Sequence, residues 1–194
     1  MWRLSGLMAG AGAVALAAGA ACGPAPAATA TSTPEAGAFT PRAHANLAQM
    51  MRGIPFTFAN IVFDAQSEDP GAPREPAEVG GGATATFRNV YGGWQEVENS
   101  ALALAESATL MMLPGRACEN GKPVPVGDET YRRAAESLVD AGQAAYKAAQ
   151  SKNQDAMLEV SDTVAQACAN CHEPYRDFDD PMERCTSRPG APAE

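Results

Sequence analysis

The stretch Cys168, Ala169, Asn170, Cys171, His172 constrains this chain more than any other. On a helix, Cys168 and Cys171 stand three residues apart and Cys168 and His172 four, so two thiols and an imidazole share one face. C-x-x-C-H is the pattern through which c-type haem is attached. Each thiol can form a thioether to one porphyrin vinyl group, and the adjacent neutral imidazole can bind the iron. Cys168 and Cys171 are therefore read as covalent haem-binding residues and His172 as the proximal iron ligand, for one haem c with its iron. Other chemistries fit less well. A thioredoxin-like pair wants a βαβ setting, whereas the pattern around residue 168 is helical with no strand before it. Zinc takes four ligands, commonly from a second closely spaced pair, and Cys22, Cys118, Cys185 and His44 are all isolated. A disulfide between Cys168 and Cys171 would close almost no loop.

What precedes the motif sets its compartment. Residues 1–22 read as an export signal, with Arg3 as the positive start and Leu7 to Ala21 as an apolar Ala/Gly-rich run. That run is too short to span a bilayer comfortably. Gly19, Ala20, Ala21, Cys22 resembles a bacterial lipobox, in which Cys22 would carry lipid, although Gly19 stands where a larger aliphatic residue is usual. Cleavage near Ala25 to Ala28 is the alternative, and a retained membrane anchor is the third and least favoured outcome. Any of the three puts the rest of the chain outside the cytoplasm, in the periplasm or tethered to a membrane facing it. Residues 23–40, rich in Ala, Pro and Thr, read as a disordered linker.

The length of 194 residues suits one domain with tails. A formal charge of −9 argues against nucleic acid as a partner, because phosphates would be repelled. It leaves basic or neutral proteins as partners. Of the five cysteines, Cys118 and Cys185 sit in Gly/Pro-rich settings away from the motif. In an exported protein they can pair as a disulfide between a loop and the C-terminal tail, or stay as two thiols.

Apolar periodicity predicts four helices and no strand. The first begins at Thr40 as N-cap with Pro41 after it, and Leu47, Met50, Met51, Ile54, Phe58, Ile61 and Val62 form its stripe. Pro55 should kink or split it. A long loop over residues 70–92 has Phe87 and Tyr91 as its expected anchors. The second helix runs from about Trp94 to Leu113. The third runs from about Asp128 to Ala149 and is rich in small residues, suited to close packing or to a flat face beside a porphyrin. The fourth runs from about Asn153 to Arg176, so the motif lies in its last turns. Residues 177–194 form an Asp/Pro-rich tail.

Four amphipathic helices ending in C-x-x-C-H-x-x-Y-R, here Cys168 to Arg176, resemble the class II c-type cytochromes, the cytochrome c-prime group. The resemblance covers about residues 41–176 and implies an all-α four-helix bundle that binds haem. Long Gly/Pro loops, Pro55 and the additional Cys118 and Cys185 mark a divergent member. In this group the distal side of the iron faces the early part of the first helix. Met51 is then the first candidate for a distal ligand, Met50 the second and His44 the third, while core packing explains a helical Met equally well. Arg176, four residues after His172, is a candidate for a propionate or electrostatic contact, or simply a cation suited to a helix end. Trp94 and Tyr146 could line the pocket or fill the core.

The expected role is a one-electron carrier working with redox partner proteins, and not an enzyme, since no acid–base constellation is visible. A five-coordinate haem protein binding small gases such as nitric oxide is the alternative. A peroxidase-like enzyme would have to use His44 and Arg52. Bundles of the group often dimerise through their first two helices, so a homodimer is a further expectation.

Overall fold

The structure, a computed structural model, describes residues 40–73 and 90–187. The export segment with Cys22, the linker up to residue 39 and Phe87 lie outside the described residues. Among these residues the fold is all-α: α1 Leu47–Gly53, α2 Pro55–Asp64, α3 Trp94–Met111, α4 Glu129–Gln150 and α5 Gln154–Tyr175, followed by a 3₁₀ turn Pro181–Glu183. The sole strand-like pairing among them is an isolated bridge between Ala117 and Pro123.

Local chemistry explains most boundaries. The first helix starts at Leu47 and not near Thr40, because Asn46 and Gln49 form a capping box. The Gln49 amide donates to Asn46 Oδ1 at 2.8 Å and the Asn46 amide to Gln49 Oε1 at 3.0 Å. Residues 40 and 41 stay non-helical. Pro55 splits the helical run: it occupies the first turn of α2, where its missing N–H costs nothing, and Ile54 turns between the two segments. Asp128 and Asn153 cap α4 and α5 by accepting from Thr130 N at 2.9 Å and Asp155 N at 2.8 Å.

Packing follows from the size of the buried side chains. α3 packs against α2 and α4, α4 against α5, and α2 also against α5. Val62, Leu104, Tyr131, Met157 and Val164 are fully buried, and much of the remaining core is alanine. Alanine lets backbones approach closely. A Cβ added at Gly142 would stand 2.8 Å from both the Ala101 carbonyl oxygen and the Ala105 nitrogen. The small residues of α4 thus serve close helix packing. Buried Ser107 and Ser161 satisfy their hydroxyls within their own helices, donating to Leu104 O at 2.6 Å and Met157 O at 2.8 Å.

Tyr91, expected as an anchor of the loop, is instead 66% exposed. Of the two alternatives for Trp94 and Tyr146 the structure shows core packing: both lie on the flank of the core, and neither is on the wall of the cavity described below.

The chain beyond α5 folds back onto the loop between α3 and α4. A disulfide joins Cys118 to Cys185 across 67 residues of sequence. The Cys185 amide donates to Tyr175 O at 2.8 Å. Asn120 Nδ2 lies within 3.0 to 3.3 Å of the carbonyls of Pro181, Met182 and Arg184. On the other side of the same loop, the Leu47 amide donates to Ala117 O at 2.8 Å. The buried Arg116 donates to Ala45 O at 2.6 Å and Leu110 O at 3.1 Å. The loop therefore ties the start of α1, the end of α3 and the C-terminal tail to one another.

Candidate haem site

The last two turns of α5 carry the motif. Asn153 starts the helix in a register that buries Met157, Ser161, Val164 and Ala167. The same stripe continues into Cys168, Cys171 and Tyr175. Cys168 and Cys171 are half-buried and not joined in a disulfide. Pro174 lies inside the final turn, and the helix ends as the His172 carbonyl accepts from both Arg176 N and Asp177 N at 2.8 Å.

Cys168, Cys171 and His172 line one cavity of about 670 Å³. That volume falls within the roughly 300–1,000 Å³ that small-molecule and cofactor sites occupy. Its floor is apolar. Tyr131 and Tyr175, which line the cavity, meet edge to face with ring centroids 5.4 Å apart, and α1 and α2 contribute Met51, Ala59 and Phe63 to the lining. Two thiols and an imidazole projecting into a largely apolar space is a donor set that fits haem c: two positions for thioethers, one nitrogen for iron, and walls suited to a flat apolar ring. Zinc fits poorly. Among the described residues no group of three or more His, Cys, Asp or Glu side chains is arranged to hold a metal ion.

Burial sets the protonation of the donors. It pushes the Cys171 thiol up to about 12, with Cys168 beside it adding to the rise and Arg176 opposing it. Cys168 is raised by burial as well, again opposed by Arg176. His172 is held below its usual value, first by burial and then by Arg176, with Asp177 working the other way. The imidazole is thus kept in the neutral form that can offer a lone pair. The two thiols are kept protonated at neutral pH, which makes them weak nucleophiles towards other reagents. Tyr131, fully buried at the base of the cavity, is raised chiefly by burial and further by Cys171.

The remaining candidates separate cleanly. Met51 is half-buried on the cavity wall, whereas Met50 is 6% exposed in the helix core and does not line the cavity. His44 is exposed and stands outside the lining. Arg52 lines the cavity and is ion-paired with Glu119. Arg176 lines it too, with Nε donating to Asp177 Oδ1 at 2.7 Å.

Two parts of the wall are absent from the sequence reading. One is the N-terminal half of α2, where Phe56 faces the cavity one step off the apolar stripe and is 67% exposed. The other is the tail, which brings Pro181, Met182, Arg184 and Cys185 to the cavity. The tail has no periodicity to reveal this; a cysteine at 185 able to pair with Cys118 is the one hint that it returns. No helix among the described residues is long and apolar enough to cross a membrane. Compared with family models, with curated proteins and with solved structures, the chain matches none.

Proposed function

We propose that this chain is a covalent haem c protein that carries single electrons outside the cytoplasm, built as a four-helix bundle of the cytochrome c-prime kind. The observation that carries the reading is that Cys168, Cys171 and His172 open together into one apolar cavity of about 670 Å³. In this reading α1 and α2 together form the first helix of the bundle, and α3, α4 and α5 are the other three. Cys168 and Cys171 hold the group covalently, and the neutral His172 imidazole is the proximal ligand. Bound there, haem supplies one-electron exchange at its iron. Arg176 keeps positive charge beside His172, and Met51 presents a thioether from the α1 wall. A Met ligand favours the reduced state and suits electron transfer to redox partner proteins. The export-signal pattern of residues 1–22 supports a periplasmic location, with lipid on Cys22 as the tether if the lipobox is used.

Gas binding is the reading that holds if Met51 stays off the iron, since the neighbouring wall residues Ala59 and Phe63 carry no donor. The two separate optically. A sharp low-spin spectrum in the reduced protein, unchanged by carbon monoxide, supports the carrier. Rapid carbon monoxide binding to a high-spin reduced protein overturns it in favour of an open site.

A further inference from the structure

The C-terminal tail is more than a terminus that happens to be fastened. Pro181, Met182, Arg184 and Cys185 all line the same cavity as the motif, and the Cys185 amide bonds back to Tyr175 at the end of α5. The fastenings are numerous for so short a stretch. They comprise the disulfide to Cys118, the three carbonyls around Asn120, and Lys122 Nζ donating to Thr186 Oγ1 at 2.9 Å. Glu119 adds charge on both sides, pairing with Arg52 of α1 and standing 3.9 Å from Arg184.

Met182 makes the arrangement informative. It is a large apolar side chain, 59% exposed, on the cavity wall and outside the buried core. Phe56 of α2, which lines the same cavity, is likewise exposed. Holding an apolar side chain in water costs free energy, and here the chain uses a disulfide and at least five hydrogen bonds to keep the segment carrying Met182 in place. Both side chains line the cavity into which Cys168, Cys171 and His172 open.

We infer that the segment Phe178–Thr186 is a strap that completes the haem site: Met182 packs on the bound group, and the Cys118–Cys185 disulfide holds the strap closed against water. Met182 is thus a positioning residue, and the disulfide acts through it. The inference rests on the haem reading above and extends it to a part of the chain outside the helices.

The test uses the mature holoprotein in three forms: wild type, Met182→Ala, and Cys118→Ser with Cys185→Ser. Met182 lies outside the helical core, so Met182→Ala should leave the fold and the covalent haem in place and lower the thermal midpoint only slightly, through the lost contact with the bound group. It should lower the reduction potential and speed the reaction of the haem with a small hydrophilic reductant, because water gains access. The double serine variant should do the same. It should also raise hydrogen exchange at the backbone amide of position 185, which bonds to Tyr175 O, by about tenfold or more relative to wild type as the strap opens. Treating wild type with a phosphine, which leaves thioethers intact, should reproduce the double variant, and reoxidation should restore it. If both variants keep the wild-type potential and reductant rate while haem is bound, the strap is only a fastening and the inference is overturned. If wild type carries no covalent haem, the reading of the site itself fails, and that result is distinct from the first.

Discussion

Replacing Met51 and Met50 one at a time separates two roles that adjacent side chains take on the same helix. Met50 is 6% exposed and belongs to the core. Truncation to alanine removes buried apolar volume that its neighbours cannot refill, a loss of about 2–5 kcal/mol. For a chain of this size that lowers the thermal midpoint by roughly 4–20 °C. Met51 is half-buried and borders an existing cavity, so its truncation enlarges a space already present. Half burial of such a side chain is worth about 1 kcal/mol, or roughly 2–4 °C. The spectroscopic effects should run the other way. Met51→Ala should abolish any Met–iron charge-transfer band and turn the reduced protein high-spin and reactive to carbon monoxide, while Met50→Ala leaves the spectrum as in wild type. Calorimetry and optical spectra on the same preparations read both quantities. A lost band in Met50→Ala with Met51→Ala unchanged would refute the placement of the two side chains. Wild-type spectra from both variants would refute a Met ligand altogether.

Two further outcomes follow from the packing and from burial. Gly142→Ala gains about 1 kcal/mol of helix propensity. Its Cβ, however, meets the backbone of Ala101 and Ala105 at 2.8 Å, and overpacking of that kind costs about 1–3 kcal/mol. Because backbone cannot rotate away, the cost should lie at the upper end of that range, a net loss of about 2 kcal/mol that lowers the midpoint by roughly 4–8 °C; an unchanged or raised midpoint would count against the close α3–α4 approach. Tyr131 has its phenol raised by burial, so the folded chain keeps a proton that the unfolded chain releases above about pH 10. With fewer protons bound when unfolded, stability is complete below that pH and falls as pH rises. Denaturant titrations from pH 8 to 11 should show a shallower alkaline decline in Tyr131→Phe, the remaining slope coming from the raised Tyr175 phenol and, where no thioether has formed, from the raised Cys168 and Cys171 thiols. Identical slopes would contradict the burial of the phenol.

Much of the helical frame could be read from the chain because its signals are local. Asp128 and Asn153 each stand directly before an amphipathic run, and each caps the helix expected there. Pro55 divides the first run as a missing donor requires. The start of α1 misleads: the sequence reading puts it at Thr40–Pro41, whereas the helix begins after Asn46, where Asn46 and Gln49 exchange two bonds that the apolar spacing does not reveal. At the site, helical register alone groups Cys168, Cys171 and His172. Which of two adjacent methionines faces the cavity depends on how α1 turns about Ile54, a tertiary property. Phe56 and Met182 were illegible for a related reason. Both are exposed apolar side chains, and their meaning comes from the cavity they border, which long-range packing creates.

The central claim is that Cys168 and Cys171 hold haem covalently, and intact mass with a pyridine haemochrome spectrum on exported protein tests it most directly. The account predicts one haem's added mass that survives acid–acetone extraction and denaturation, with the haemochrome band of a porphyrin saturated at both vinyl groups. It also predicts that the band shifts towards that of a single thioether in Cys168→Ala or Cys171→Ala. A mature chain of unmodified mass, with both thiols free to alkylate after unfolding, would contradict it.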